Sequence, residues 1–224
     1  MKNLILSCNT IRAELDQTLK KLNCDYPVIY LESGLHNDPQ KLNFAMQEVI
    51  DRVSNVENIL VIMGFCGNAV VGLKAGLGRV IVPRVDDCIT MLLGSLEKRR
   101  EISREKPTYY LSKGWIDSYN EVEKTMMGDL DALEARYGKE RAMRIFRMTY
   151  RNYRRIGLID TGTFDMAELH DGAREQSELM ELPIEEVPGT MSYMEKFVKG
   201  PWDDKDFIIL EKGQELKLED TFLK

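Results

Sequence analysis

The sequence predicts an α/β fold with a doubly wound, mainly parallel sheet and helices on both faces. Short apolar runs typical of buried strands alternate with helical patterns along the chain of 224 residues. The runs 59–63 and 80–82 are apolar without alternation, as in strands that are covered on both faces. The alternation pauses at a long helical stretch near 115–156, so the elements form either one sheet or two α/β lobes. We expect two domains, 1–112 and 113–224.

The N-terminal half repeats a strand and helix pattern. Its strands are predicted at 4–6, 28–31, 59–63 and 80–82, and its first two helices at 11–22 and 39–50. Asp38 followed by Pro39 is a strong helix start, because proline suits the first helical position. We expect Asn68 to cap a short helical piece, and Asp86 or Asp87 to cap a helix after the fourth strand.

The C-terminal half has longer helices and shorter strands. The charged stretch 97–106 is typical of a solvated helix end or a lid segment, and it leads to a strand at 108–111. Ser118 and Glu121 match a capping box that introduces a helix to about residue 137. Further helices are expected at 139–155, up to 180, and at 191–198, and further strands at 158–160, 183–187 and 207–210.

Composition excludes several classes of function. The formal net charge of -6 gives no basic footprint, so nucleic acid is not an expected partner. No apolar run reaches the roughly 18 residues that a membrane span needs, and the N-terminus is too short and too strand-like for a signal peptide. We therefore expect a cytoplasmic protein without a membrane partner. Its four cysteines are then more typical of free, ligating or catalytic thiols than of disulfides.

Four chemically competent side chains follow four successive predicted strands: Cys8, His36, Cys66 and Cys88. If these strands are parallel neighbours, their carboxyl ends meet at one edge of the sheet, where ligands bind in open α/β folds. Three thiolates and an imidazole suit tetrahedral zinc, and a [4Fe-4S] cluster is the alternative. The sequence has no CxxC pair. Each cysteine has a packing interpretation as well, because buried free cysteine is common.

A polar cluster next to Cys88 supplies the candidate catalytic residues, Arg84 and Asp86. Arg84 could hold an anionic substrate group, while Asp86 orients a bound ligand or accepts a proton. The alternative is structural, in which the aspartates cap a helix and the arginine pairs with one of them. Cys24 and His170 do not follow strands, and we expect packing or surface roles for both.

Several longer motifs resemble an uncharacterised family that is known only as a domain of unknown function. They are Cys8 after a first strand, SGLHNDP, GFCGN, PRVDDCITMLLGS, YYLSKGW and KGPWDDKDFIIL. Cys8, His36, Cys66 and Cys88 stand at matching motif positions. Members of that family occur in methanogens, acetogens and related anaerobes, often near genes for corrinoid-dependent methyltransferases. The resemblance therefore implies an anaerobic setting and a link to corrinoid or one-carbon metabolism, but no reaction.

Three functions remain open at this stage. The first is zinc-type thiol or methyl-transfer chemistry at the Cys/His site. The second is an iron-sulfur protein for electron transfer or corrinoid reactivation. The third is a non-enzymatic accessory protein that binds a corrinoid protein, a methyltransferase or a metal. The sequence leaves open whether the protein is an enzyme, whether it takes a small-molecule substrate and whether it is a homo-oligomer.

Overall fold

The computed structural model describes residues 2–121 and 125–222 of the chain. In these residues the strands are β1 (Asn3–Cys8), β2 (Val28–Leu31), β3 (Asn58–Ile62), β4 (Arg79–Pro83), β5 (Thr108–Leu111), β6 (Arg155–Asp160), β7 (Ile184–Pro188) and β8 (Phe207–Leu210). The helices are α1 (Arg12–Leu22), α2 (Pro39–Arg52), α3 (Cys88–Leu93), α4 (Leu96–Glu105), α5 (Lys113–Glu121), α6 (Thr125–Tyr137), α7 (Lys139–Tyr150), α8 (Met166–Gly172), α9 (Arg174–Met180) and α10 (Ser192–Lys199). The predicted α/β class is confirmed.

The chain folds as two compact units, one of which is discontinuous in sequence. The first unit contains residues 1–96 and 190–224, and the second contains residues 97–189. Their bounds differ from the two halves expected from chain order, 1–112 and 113–224. The reason is β8, which returns to the first sheet and pairs with β4 in antiparallel orientation.

The first unit is built on a five-stranded sheet with the order β2-β1-β3-β4-β8. Its first four strands are parallel, as the sequence predicts. Successive residues of β3 point to opposite faces, and both Leu60 and Val61 are fully buried, so both faces of the sheet are covered. Helix α2 supplies Leu42, Met46 and Ile50 to the core on one face.

This strand order contains a topological switch point. Strand β2 follows β1 on one side, whereas β3 and then β4 continue on the other side. In doubly wound sheets, the loops that leave the two strands at such a point diverge and open a crevice beyond their carboxyl ends. The crevice between β1 and β3 is therefore the expected ligand position in the first unit.

The second unit has a parallel three-stranded sheet with the order β5-β6-β7. Arg155 at the start of β6 is almost buried, donates to the Thr108 hydroxyl at 2.7 Å and forms an ion pair with Glu185 at 2.9 Å. These contacts join all three strands. The side chains Leu111, Phe146 and Leu158 lie in the core of this unit. No helix in the described residues is both long enough and apolar enough to cross a bilayer.

Three local predictions are wrong. The short helix expected after Asn68 is absent from the described residues, because Cys66, Gly67 and Asn68 all have positive φ angles, which form turns instead. The capping box at Ser118 is also wrong, since α5 already begins at Lys113 and the Ser118 hydroxyl donates to the Gly114 carbonyl inside that helix. The predicted helix 139–155 ends at Tyr150.

Candidate thiol site

The four predicted strand-end residues lie along the carboxyl edge of the first sheet, in the order His36, Cys8, Cys66, Cys88. Cys8 is the last residue of β1, and Cys66 lies in the loop after β3. These two strands are neighbours at the switch point, whereas His36 follows the edge strand β2 and Cys88 follows β4. Neighbouring strands are about 4.8 Å apart, so three steps separate the outer two residues by about 14 Å before the loops are considered.

The loop that carries Cys66 is fixed by backbone contacts to the segment after β4. The Phe65 amide donates to the Val85 carbonyl and the Cys66 amide donates to the Asp86 carbonyl, each at 2.9 Å. The close approach depends on Gly64, because a Cβ atom there would lie 2.3 Å from the Asp87 Cα. The sequence therefore holds Cys66 directly against the two aspartates.

The other side of the same loop is held by helix α2. The Asn43 amide group donates to the Ala69 carbonyl at 2.7 Å and to the Val71 carbonyl at 2.9 Å. Cys66 itself has a φ of 44°, in the left-handed region that non-glycine residues seldom adopt. An anchored loop with such a backbone gives the thiol a defined position.

The surroundings of Cys66 oppose its ionisation. Burial, and after it the nearby acidic groups Cys8, Asp87 and Asp86 in that order, together raise the pKa of the Cys66 thiol to about 12, against a smaller lowering by a backbone hydrogen bond at Gly64. Cys8 affects Cys66 in this way because the two residues follow the neighbouring strands β1 and β3. Burial also raises the pKa of Cys8, against smaller opposing effects of hydrogen bonds with Thr10, to whose hydroxyl the Cys8 thiol donates at 3.1 Å.

The raised pKa values favour a metal-binding thiol over a nucleophilic one. A nucleophilic cysteine needs a lowered pKa, because the thiolate is the reactive form. Here every charged group that shifts the pKa of Cys66 is itself acidic in the described structure. The Cys66 thiol therefore keeps its proton at neutral pH unless a cation enters, because a bound metal ion stabilises the deprotonated thiol.

Asp86 and Asp87 both interact with the start of α3. Asp87 is the N-cap residue, as predicted for one of the pair, and accepts from the Thr90 amide at 3.0 Å. Asp86 accepts from the Thr90 hydroxyl and, at 3.1 Å, from the Asp87 amide. Cys88 is the first residue of this helix and is half-buried. The start of α3 thus fixes both carboxylates, while the backbones of Asp86 and Asp87 lie against the loop that carries Cys66.

Arg84 is engaged in a different part of the first unit. Its guanidinium donates to the carbonyls of Asp204 at 2.9 Å, Phe207 at 3.2 Å and Asp220 at 2.5 Å. These contacts tie the end of β4 to the C-terminal segment. A substrate-binding role for Arg84, which remains a prediction, would have to compete with these three carbonyl groups.

The loop after β2 adds one residue that sequence reasoning missed. Ser33 is only 4% exposed, and its hydroxyl has no hydrogen-bond partner within the described residues. It follows β2, the strand next to β1, at the same sheet edge. Burial lowers the pKa of His36, against a hydrogen bond with the Ser33 backbone, so the imidazole is neutral at pH 7. The position of Ser33 after a predicted strand was the available signal, but serine alone does not mark a site.

The structure does not assemble the four predicted ligands into one group. Among the described residues, no three His, Cys, Asp or Glu side chains are arranged as a metal ion requires. Cys24 lies beyond α1 and away from any strand end, and His170 on α8 pairs with Glu186 at 3.0 Å on the surface. The two central thiols are therefore the core of the candidate site, and a metal ion that also used the outer residues would require them to move.

Comparison with known proteins identifies the family but not the reaction. No curated protein and no solved structure matches the chain. Residues 30–198, which include His36, Cys66 and Cys88 but not Cys8, match a family model described as a protein of unknown function, DUF1638. Since this match covers well over half of the sequence, the chain belongs to the DUF1638 family.

Proposed function

We propose that this protein binds a thiophilic divalent cation, zinc in the first place, at the carboxyl edge of the first sheet. Cys8 and Cys66 are the two central ligands. The observation that carries the proposal is the position of Cys8 and Cys66 after the neighbouring parallel strands β1 and β3, at the switch point of the sheet. There, burial and then Cys8, Asp87 and Asp86 raise the pKa of the Cys66 thiol. A cation would relieve all of these unfavourable interactions at once, because it would balance the charge of the buried thiolates.

The remaining ligands come from the loops on either side of the two thiols. Zinc accepts sulfur, imidazole nitrogen and carboxylate oxygen. The lowered pKa of His36 keeps its imidazole neutral, which is the form that binds zinc. Cys88, Asp86 and Asp87 are the candidates on the β4 side. Because no group of three ligands is preformed in the described residues, binding requires side-chain movement.

Thiol and methyl-transfer chemistry is the reaction class that fits such a site. A zinc ion with an open position lowers the pKa of a bound thiol or water and makes it a nucleophile at neutral pH. The proposed link to corrinoid or one-carbon metabolism depends on the motif resemblance. Within this proposal, the Asp86 carboxylate is the proton acceptor. The backbone of Asp86 is held beside Cys66, since the Cys66 amide donates to the Asp86 main-chain carbonyl at 2.9 Å.

The test is metal binding by the full chain, purified without oxygen and stripped with a chelator. We expect one zinc ion per chain by titration calorimetry, and intense thiolate-to-metal charge-transfer bands when Co²⁺ replaces zinc. Cys66→Ser and Cys8→Ser should each weaken binding by at least about tenfold. Cys24→Ser is the matched control, because Cys24 is a thiol of the same unit away from the strand ends.

The same preparation separates the alternatives. Equal zinc affinity in the wild type and the Cys8→Ser, Cys66→Ser double variant would refute the proposal. A brown protein whose visible absorption bleaches on reduction would identify an iron-sulfur cluster instead. Zinc-loaded protein that binds a corrinoid protein but does not turn over thiols with methyl-corrinoid would be an accessory protein rather than an enzyme.

A further inference from the structure

Helix α7 of the second unit has an exposed row of arginines that the thiol site does not use. We call Arg144, Arg147 and Arg151 the arginine stripe. All three are exposed, and their spacing of three and four residues places them on one helix face. The stripe borders a shallow depression of about 580 Å³ that is lined by Glu140, Met143, Arg144, Arg147, Met148 and Arg151.

The orientation of the stripe is fixed by the opposite face of the helix. Ala142 and Phe146 are 0% and 2% exposed and lie in the core of the second unit, so the arginines cannot turn inward. In the described residues, the ion pair of Arg147 with Glu181, at 2.8 Å, is the one salt bridge that the stripe makes. Like charges at this spacing destabilise a helix, and an external anion would relieve the repulsion within the stripe.

The composition of the depression indicates which anion it fits. Arginine and methionine are both enriched at protein interfaces, where guanidinium groups bind carboxylates in a bidentate manner and thioethers adapt to a partner's apolar side chains. Nucleic acid is less suitable, because none of the described residues that line the depression is aromatic and could stack on a base, and because the chain has a net charge of -6. A membrane is less suitable as well, because Met148 is the one strongly exposed apolar side chain among those described lining residues.

We propose that the arginine stripe is a docking surface for an acidic, partly apolar segment of a partner protein. The carboxylates of that segment would bind Arg144 and Arg151, and its apolar side chains would lie against Met143 and Met148. The helix has 12 residues and a length of about 18 Å, so a partner helix of about three turns would match it. This surface lies in the second unit, and the proposal does not depend on metal binding.

The experiment uses a fluorescein-labelled helical peptide of glutamate and leucine, and a matched peptide in which glutamine replaces every glutamate. Binding to the full chain is measured by fluorescence anisotropy at low and high salt. The test variant is the double substitution Arg144→Gln, Arg151→Gln. The control variant, Arg104→Gln with Arg174→Gln, removes the same charge from exposed positions on α4 and α9. Circular dichroism confirms that both variants fold.

We expect the glutamate peptide to bind in a salt-sensitive manner. The test variant should lower the affinity at least about tenfold, and the control variant should keep it within about twofold of the wild type. An equal loss in both variants would mean a non-specific charge effect and would overturn the proposal. So would stripe-dependent binding to phosphatidylglycerol vesicles or duplex DNA without binding to the peptide. A stripe-dependent, salt-reversible dimer of the protein alone would identify a second copy as the occupant and would overturn it too.

Discussion

Replacing Gly64 with alanine should damage both the stability of the first unit and its thiol site. The added Cβ would lie 2.3 Å from the Asp87 Cα and 2.6 Å from both the Asp87 carbonyl carbon and its amide nitrogen. Ordinary contact begins at 3.4 Å, so the loop must retreat by about 1 Å from a backbone that cannot rotate away. Such overpacking costs about 3 kcal/mol at the upper end of its usual range, and we expect that loss in the free energy of unfolding.

Urea denaturation measures the loss, and Gly76→Ala is the matched control. A Cβ at Gly76 would meet the Ile50 carbonyl oxygen at 3.3 Å, which a shift of a few tenths of an ångström relieves. We expect this control to change stability by less than about 1 kcal/mol. Gly64→Ala should also speed the reaction of Cys66 with a thiol reagent, because the loop moves away from Asp86 and Asp87. If both variants lose the same stability, the close approach at Gly64 is not what fixes the loop.

Three further predictions concern the same unit. The free energy of unfolding should fall as pH rises from about 8.5 toward about 12, because Cys66 loses its proton in the unfolded chain but keeps it when buried in the folded protein. In urea titrations, Cys66→Ser should flatten this fall and Cys24→Ser should not. An unchanged slope in Cys66→Ser would contradict the raised pKa. Arg84→Ala should lower the free energy of unfolding by about 2 kcal/mol and speed amide hydrogen exchange across 204–221, because three carbonyl groups lose their donor. Unchanged exchange in that segment would show that Arg84 does not anchor it. Asn43→Ala should lower the free energy of unfolding by about 1 kcal/mol and make Cys66 react faster with thiol reagents. A reaction rate equal to that of the wild type would show that α2 does not hold the loop.

Much of the fold was predictable because its strongest signals are local. The buried strands β1, β3 and β4 are continuous apolar runs, and Asp38 with Pro39 marks the start of α2 without any tertiary information. The partner of β8 was not predictable in this way. Its four residues, Phe207–Leu210, have the same apolar pattern whichever strand they join, and only the folded chain shows that they pair with β4. The domain bounds expected from chain order therefore differ from the bounds of the two compact units.

The candidate site shows the same division between local and long-range information. The sequence predicts which residues follow strands, and the parallel arrangement of β1 to β4 confirms that their ends share one edge. Strand order decides how close those residues come to one another, and no local sequence pattern predicts strand order. Because β1 and β3 are neighbours, Cys8 and Cys66 are one strand step apart, whereas His36 and Cys88 are three steps apart. A metal site here must therefore begin with the central thiol pair, and any contribution from the outer residues depends on how far their loops move.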